Sequence, residues 1–384
     1  MPFMRNLCRP VLTFSTSLLA ACFLSSCGQG EKELEVPEDL PESFAINSEV
    51  EKTYSENLKV IRESLPAERY VDMSFLPEDG DYSAPEEKGP SYELTVGLPW
   101  IFNDQHAPLY IAQALGYFED EGLIVDLREG GPGRNPLALL AGGSVDIAIS
   151  SSGNAIVRLA ASATGADVVA IAAMNRGSGY SWLAMDEDTP KEQRSDKVLT
   201  PADFYGATVG IQEGADMAMT FFLENFPYLK DKVKFTRAGF TPDLLVVGTI
   251  DFYAAMYENQ PRLIEGQGFK NWTAFRFSDY GLTDFANVHT VSREMAETQG
   301  PVLRRYLRAV GRAVQLMLDD PKQAAEITKG YSTTTQLTIE QILRRFDLQR
   351  SMIEASPGMP ILYAPLDTWD RIASQLYTYE QIEF

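Results

Sequence analysis

An indole, an amide and an imidazole recur at intervals of three residues, as Trp100, Asn103 and His106. The indole offers a flat face for stacking on a ring, and the other two side chains offer hydrogen bonds to a polar ligand. Residues 93–98 alternate as a strand does, and apolar side chains recur at helical spacing from Pro108. The three side chains therefore lie in a strand-to-helix loop, where open α/β sheets bind ligands. The alternative is that Trp100 is a core aromatic residue and His106 starts the helix.

Strands and helices alternate after this loop with short connections between them. The patterns predict strands at 123–127, 145–149 and 168–173, and helices at 135–140 and 154–163. This order predicts a parallel or mostly parallel sheet covered by helices.

A longer pattern links the opening loop to a known family. Its residues are Trp100, Asn103, His106, Leu109, Tyr110, Ala112, Gly116-Tyr117-Phe118 and Glu121-Gly122-Leu123. The pattern resembles the opening of the solute-binding proteins related to the thiamine-pyrimidine synthase, and the resemblance covers about residues 93–330. These proteins are two-lobed receptors of ABC importers, with ligands that include pyrimidine precursors of thiamine, riboflavin, sulfonates and nitrate. The resemblance implies an α/β, type II periplasmic-binding-protein fold with discontinuous lobes joined by a hinge.

The resemblance also implies a set of ligand-binding residues. Tyr257, Glu258 and Asn259, followed by Pro261, resemble the Tyr-x-Asn-x-Pro segment of the pyrimidine and flavin branches. Tyr257 would stack on a heterocycle, while Glu258 or Asn259 would pair with its ring nitrogens and exocyclic amine. Besides Trp100, Asn103 and His106, the remaining predicted cleft residues are Ser151, Tyr180, Trp182 and Glu213.

The resemblance and the composition together predict four segments. Residues 1–27 are a signal peptide, and residues 28–92 are an acidic spacer. Lobe one comprises residues 93–190 plus 286–384, and lobe two comprises residues 191–285.

A lipoprotein signal begins the chain. Arg5 and Arg9 precede an apolar stretch, and residues 24–27 (Leu-Ser-Ser-Cys) form a lipobox. Residues 19–22 (Leu-Ala-Ala-Cys) also fit, but only Cys27 is followed by polar sequence. The apolar stretch is shorter than the ~20 residues that a spanning helix needs. We therefore expect a protein of the cell envelope, anchored to the membrane through a lipid on Cys27.

The predicted spacer carries 17 acidic against 6 basic residues, about half of the chain's formal net charge of −21. Apolar residues on one face predict a helix at 48–65, and the rest is expected to be solvated. This acidity argues against nucleic acid as a partner and against adsorption to anionic lipid.

Missing residue types argue against catalysis. An enzyme like the thiamine-pyrimidine synthase needs a cysteine-rich segment, and a lysine in lobe one to hold pyridoxal phosphate. No cysteine follows Cys27, and residues 93–190 contain no lysine. Two histidines are too few for a histidine-rich metal site. We therefore predict no enzymatic activity, no cofactor and no metal.

The predicted cleft is rich in aromatic rings and carboxylates, which suits an uncharged or weakly basic nitrogen-rich ring. A thiamine-precursor pyrimidine is the predicted ligand, delivered to the permease of an ABC importer. Riboflavin, a sulfonate or nitrate are alternatives, and Arg134 and Arg176 leave an anionic group on the ligand open. A sensing lipoprotein that works without an importer is the alternative of another class.

Overall fold

The computed structural model describes residues 48–131, 133–162, 167–212, 215–332, 337–354 and 358–384. The predicted signal peptide with Cys27, residues 28–47 of the predicted spacer and Glu213 lie outside the described residues. None of the helices in the described part of the chain combines the length and the apolarity needed to cross a bilayer.

Strands and helices alternate through the described residues. The strands are β1 Tyr92–Gly97, β2 Leu123–Arg128, β3 Ile147–Ser150, β4 Val168–Asn175, β5 Tyr180–Met185, β6 Thr208–Ile211, β7 Lys234–Arg237, β8 Phe252–Met256, β9 Trp272–Arg276 and β10 Ala286–Ser292. The helices are α1 Ser48–Ser64, α2 Ala107–Ala114, α3 Tyr117–Asp120, α4 Pro136–Ala141, α5 Gly153–Ala161, α6 Asp216–Asn225, α7 Asp243–Val246, α8 Gln260–Gly266, α9 Arg293–Thr298, α10 Gly300–Asp319, α11 Pro321–Tyr331, α12 Ile339–Ile353 and α13 Leu366–Thr378.

The first sheet has the order β2-β1-β3-β10-β4 and forms lobe one. β1 pairs in parallel with β2 and β3, whereas β10 runs antiparallel to β3 and β4. All residues of β3, a central strand, and of β4, an edge strand, are buried, as expected for a sheet covered on both faces. The sheet is therefore mixed rather than all parallel, because β10 enters it from the other lobe.

The second sheet has the order β7-β6-β8-β5-β9 and forms lobe two. β6 is parallel to β7 and β8, and β5 is antiparallel to β8 and β9. The two-lobed α/β architecture predicted from the sequence is confirmed. The predicted boundary between residues 190 and 191 is wrong, because β5 already belongs to lobe two. The chain leaves lobe one through residues 176–179 and returns through residues 281–285.

The predicted spacer is folded from residue 48 onward. Helix α1 confirms the predicted helix, but it packs on α13 instead of standing in solvent. Its buried Tyr54 hydrogen-bonds to Tyr379, and the Tyr54 carbonyl accepts a hydrogen bond of 2.8 Å from Ser374. Ile61 is fully buried in the same cluster. The prediction of a solvated spacer is wrong here, because the apolar face of α1 is covered by the C-terminal helix.

Residues 70–72 extend this packing onto the first sheet. The Ala170 amide donates to the Tyr70 carbonyl at 2.8 Å, and the Asp72 amide donates to the Ala170 carbonyl at 2.9 Å. These bonds cover part of β4, which is the edge strand of the first sheet. Further along, the ring of Tyr82 lies on Gly311, where a Cβ atom would come within 2.0 Å of it. The segment that precedes β1 is thus an integral part of lobe one.

Candidate ligand-binding cleft

Residues of both lobes line a cavity of about 640 Å³. Such a volume is typical of small-molecule sites. Much of the wall is formed by loops that follow strands at their carboxyl ends, where open α/β sheets bind ligands. The lining residues are Trp100, Asn103, Gln105, Ser151, Ser152, Asn154, Ala155, Arg158, Tyr180, Ser181, Trp182, Gln212, Ala215, Asp216, Met217, Ala218, Phe240, Ala254, Ala255, Met256, Glu258, Asn259, Gln260, Ala286, Asn287 and Arg345.

Two aromatic rings from opposite lobes meet at this cavity. Trp100 follows β1, and Phe240 follows β7; their ring centroids lie 5.6 Å apart at an angle of 56°. Phe240 is 55% exposed, which places it where the cavity opens to solvent. Phe240 was not predicted from the sequence, although its position after a parallel strand was a signal for it.

Tyr257 does not line the cavity, so the predicted stacking role for it is wrong. The Arg276 guanidinium lies 4.5 Å from the centroid of its ring, and Trp272 contacts the ring edge-on. The Tyr257 amide donates to the Gly179 carbonyl at 2.7 Å. These contacts turn the phenol away from the cleft and toward β9.

Trp182 borders the cavity, but its ring belongs to the core of lobe two. The side chain is 1% exposed and is surrounded by aromatic rings. The centroids of Phe222, Phe277 and Phe204 lie 4.6, 5.0 and 5.2 Å from that of Trp182. A ring held in this way cannot present its face to a ligand, so the predicted cleft residue Trp182 lines the cavity without being free to stack on one.

Asn103 and His106, both predicted in the opening loop, differ in their position relative to the cavity. Asn103 lines the cavity, and its Oδ1 accepts a hydrogen bond of 2.8 Å from the Gln105 amide. His106 is buried behind the wall rather than in it. Burial, and then the charge of Arg345, lowers the pKa of His106 to about 3, so its imidazole is neutral at physiological pH. His106 therefore supports the loop and does not line the cleft.

The start of α5 forms the wall beside Tyr180. Ser151 is exposed there, while Asn154 donates from Nδ2 to Asp284 Oδ2 at 2.9 Å and hydrogen-bonds with Tyr180. Burial raises the pKa of Asp284 to about 7, although backbone amides of Phe285 and Asn154 donate to it and lower that pKa. Asp284 lies in the second crossover, so this group joins α5 to the hinge.

A network of buried charges lies at the contact between the lobes. Asp104 belongs to the opening loop, Arg345 to α12 and Arg262 to α8, and Glu258 and Asn259 immediately precede α8. Arg262 Nη1 lies 2.8 Å from Asp104 Oδ2, and Arg345 Nη2 lies 3.7 Å from Glu258 Oε1. Burial lowers the pKa of Arg262 to about 10, while the charge of Asp104 acts in the opposite direction. Glu258, Asn259 and Arg345 line the cavity.

Glu258 has one carboxylate oxygen in contact with Arg345 and one without a partner among the described residues. The residue is only 4% exposed, and its Oε2 accepts no hydrogen bond there. An unpaired buried carboxylate oxygen is costly, so a donor from a ligand would be favoured at this point. Glu258 was predicted from the sequence, and the structure places it in the cavity wall.

Among the described residues, Arg158 on α5 is the arginine of the cavity wall that forms no ion pair with an acidic side chain. Its Nε is buried, and no described residue accepts a hydrogen bond from it. Arg134 and Arg176, which the sequence suggested for an anionic group, do not line the cavity. The Arg176 guanidinium instead donates to the carbonyls of Ile353 and Pro360, at 2.8 and 3.1 Å. Arg158 was missed because its place on a helix does not reveal which face meets the cleft.

Residues 103–324 match the model of the NMT1/THI5-like family. The formylaminopyrimidine-binding protein of Halalkalibacterium halodurans is 25% identical over 305 residues, which cover 76% of this chain and 86% of the relative.

Two solved structures are similar in fold. The periplasmic aliphatic sulphonate-binding protein SsuA of Escherichia coli matches with a TM-score of 0.57 at 16% identity, over 77% of this chain and 89% of that one. The alkanesulfonate-binding protein SsuA of Xanthomonas axonopodis pv. citri, bound to MOPS, matches with a TM-score of 0.54 at 15% identity. The match covers 77% of this chain and 96% of that one.

The curated relative and both solved proteins of similar fold are named as binding proteins. The matched family segment includes the opening loop from Asn103 onward, both crossovers and the turn that carries Glu258, so it spans most of the cavity wall. By this match over more than half of its length, the chain belongs to the NMT1/THI5-like family.

Proposed function

We propose that this protein is an extracytoplasmic receptor that captures a thiamine-precursor pyrimidine in the interlobe cleft and delivers it to an ABC importer. The observation that carries the proposal is Glu258, which lines the cavity and whose buried Oε2 has no partner among the described residues. A pyrimidine with an exocyclic amine brings N–H donors in the plane of its ring.

Stacking supplies the second part of the recognition. Trp100 and Phe240 present aromatic surface from opposite lobes, and a flat heterocycle beside them would contact both lobes. Aromatic contacts of this kind contribute about 0.5–1.5 kcal/mol beyond the burial of area. The relative named for binding formylaminopyrimidine supports the same ligand class.

An anionic ligand is the second candidate, and Arg158 is the observation that favours it. This arginine borders the cavity without a carboxylate to neutralise it in the described part of the chain. Guanidinium groups bind oxyanions strongly. The two solved proteins of similar fold are named for binding sulphonates.

Calorimetry on the wild type with formylaminopyrimidine, riboflavin, an aliphatic sulfonate and nitrate separates these candidates. We expect formylaminopyrimidine to bind, and Glu258→Gln to weaken it about tenfold or more through loss of a hydrogen bond to a charged group. Glu265→Gln is the control, because that carboxylate lies on α8 outside the cavity wall. Binding of the sulfonate alone, abolished by Arg158→Gln and unaffected by Glu258→Gln, would contradict the pyrimidine proposal.

We also propose that a lipid on Cys27 anchors the receptor to the outer or periplasmic face of the membrane. The lipobox and the polar sequence after Cys27 support this assignment. Cys27→Ser should release the protein from membranes, and Cys22→Ser is the matched control that should not. Incorporation of a labelled fatty acid that persists in Cys27→Ser would contradict the assignment.

A further inference from the structure

In the buried charge network, Arg262 of lobe two contacts residues of both lobes. Arg262 Nη2 donates to Asp104 Oδ1 at 3.0 Å and to Asn259 Oδ1 at 2.8 Å. Its Nη1 forms an ion pair with Asp104 Oδ2 at 2.8 Å, without the alignment of a hydrogen bond. Asp104 lies in the opening loop of lobe one, so a single guanidinium holds a loop of each lobe.

Arg345 approaches the same acceptors from the other lobe. Its helix α12 is joined to β4 by a hydrogen bond of 2.8 Å from Gln349 to Asn175. Arg345 Nη1 lies 3.4 Å from both Asp104 Oδ1 and Asn259 Oδ1, and its Nη2 is turned toward Glu258 Oε1 at 3.7 Å. Arg345 and Arg262 therefore share two acceptors, Asp104 Oδ1 and Asn259 Oδ1. Because Arg262 holds these acceptors, it also influences which oxygen of Glu258 Arg345 contacts.

The charges of this network balance only as a set. Arg262 and Arg345 face Asp104 and Glu258, and all four residues are at most 4% exposed. Removing one member of a buried ion pair is strongly destabilising because the other charge is left unpaired, whereas the intact pair adds little stability over apolar residues. A role in fixing geometry therefore explains the network better than a role in stability.

We propose that Arg262 is a positioning residue for the ligand site and couples it to closure of the lobes. Arg262 does not line the cavity, whereas Glu258, Asn259 and Arg345 do. It holds Asp104 and Asn259 so that Arg345 contacts one oxygen of Glu258 and the other stays free for a ligand donor. Because this arrangement needs groups of both lobes, the donor-binding site is complete only while the lobes are together. The inference rests on the proposed function for the class of the ligand.

A second ion pair on the same two helices provides the matched control. Arg344 on α12 lies 2.9 Å from Glu265 on α8, and both side chains are partly exposed. Neither residue lines the cavity. Loss of this pair removes an interlobe contact without disturbing the acceptors around Glu258.

The test compares Arg262→Gln, Arg262→Lys and Arg344→Gln, each of the full chain, with formylaminopyrimidine as the probe. We expect Arg262→Gln to weaken binding about tenfold or more, as a buried charge pair does when it loses one partner. Arg262→Lys keeps the charge but not the forked geometry, so its loss should be intermediate. Arg344→Gln should cost less than about threefold, as partly exposed pairs do.

A neutral double variant separates positioning from stability. Asp104→Asn combined with Arg262→Gln leaves no unpaired charge at this contact, so its melting temperature should return toward that of the wild type. Its affinity for formylaminopyrimidine should remain weak, because Arg345 is no longer held where it contacts only one oxygen of Glu258. Recovery of both affinity and stability in the double variant would overturn the proposal. Equal losses of affinity in Arg262→Gln and Arg344→Gln would do the same.

Small-angle X-ray scattering of the unliganded proteins tests the coupling without a ligand. Arg262→Gln should have a larger radius of gyration than Arg344→Gln, because its lobes are held together less. If the wild type binds no pyrimidine, the proposed function fails and the scattering comparison alone decides this inference. Equal radii in the two variants would then refute it.

Discussion

Phe240 and Tyr257 are both aromatic residues of lobe two, yet their surroundings differ. Tyr257 is packed under Arg276, whereas Phe240 is exposed beside Trp100. Neighbouring charge and packing, and not the type of the residue, therefore decide which ring is available to a ligand. The same holds for arginine: backbone carbonyls hold Arg176, whereas no described residue accepts a hydrogen bond from Arg158 Nε.

We predict that Phe240→Ala weakens binding of the ligand by roughly tenfold, because a stacking contact and its buried area are lost. Tyr257→Ala is the matched control and should change the affinity by less than about threefold, since its ring contacts Arg276 and not the cavity. Calorimetry on the two variants checks this. A larger loss in Tyr257→Ala than in Phe240→Ala would restore the stacking role that the sequence suggested for Tyr257.

Asp284 predicts a pH dependence of stability. Burial raises its pKa to about 7, so the folded state keeps a proton that the unfolded state releases above about pH 4. Its stabilising contribution is therefore complete below pH ~4 and is lost as the pH rises through about 7. His106 acts in the opposite sense: its pKa of about 3 means that stability is lost as the pH falls from ~6.5 toward that value.

Asp284→Asn should therefore flatten the decline of stability between about pH 5 and 7, by up to roughly 3 kcal/mol at ~1.36 kcal/mol for each pKa unit. The free energy of unfolding is measured by urea denaturation at both pH values, as the difference between variant and wild type. Asp279→Asn, an exposed carboxylate in the same region, is the control. Parallel pH profiles of wild type and Asp284→Asn would show that the Asp284 side chain is ionised throughout.

At the scale of elements, α1 and α13 make the N-terminal and C-terminal parts of the described chain one unit. Tyr54 meets Tyr379, whose hydroxyl also accepts a hydrogen bond of 2.9 Å from Asn225 of lobe two. Arg62 forms a salt bridge of 2.7 Å with Asp370. The segment before β1 therefore packs on α13 of lobe one. Through Tyr379 it is also connected to Asn225 of lobe two.

Ile61→Ala should lower the free energy of unfolding by about 2–5 kcal/mol, because a fully buried side chain on α1 is replaced by a cavity. Lys59→Ala on the exposed face of the same helix should change it by less than ~0.5 kcal/mol. Chemical denaturation monitored by tryptophan fluorescence gives both values. Equal, small effects would mean that α1 is a detachable spacer after all.

At the scale of the molecule, two short crossovers connect the lobes, and the first of them contacts the ligand site. Gly179 lies in it, and a Cβ atom there would come within 2.6 Å of Glu258 Oε2. The crossover and the oxygen that is free for a ligand are thus in direct contact. Hinge geometry and the proposed ligand-binding oxygen are therefore linked at this point.

Gly179→Ala should weaken binding of the ligand by roughly tenfold, because the new methyl group displaces the Glu258 carboxylate. Gly177→Ala is the control in the same crossover, since its Cβ would meet Met352 at an ordinary 3.8 Å. Both variants lose the same backbone freedom, so their affinities for the ligand can be compared directly. Similar affinities in the two variants would show that Glu258 does not bind the ligand in the position described.

Much of the local structure could be predicted from the sequence, because strand and helix periodicities depend on near neighbours. The helix at α1 and the strands β2, β3 and β4 were predicted within a few residues of their observed bounds. Trp100 and Asn103 could be assigned to the cleft because they follow a strand at its carboxyl end, and Glu258 because its segment resembles that of a known family. The two-lobed α/β class followed from the opening motif and the alternation of elements.

Other features were decided only by tertiary packing. The apolar pattern of β5 is the same in either sheet, so its place in lobe two depends on pairing with β8 and β9. The face of α5 that turns Arg158 to the cavity, and the burial of α1, depend equally on distant partners. Asp104 and Arg345 are 241 positions apart in the sequence, and no local pattern predicts their contact. Local periodicity determined the elements, whereas contacts between residues remote in sequence determined which side chains complete the cleft.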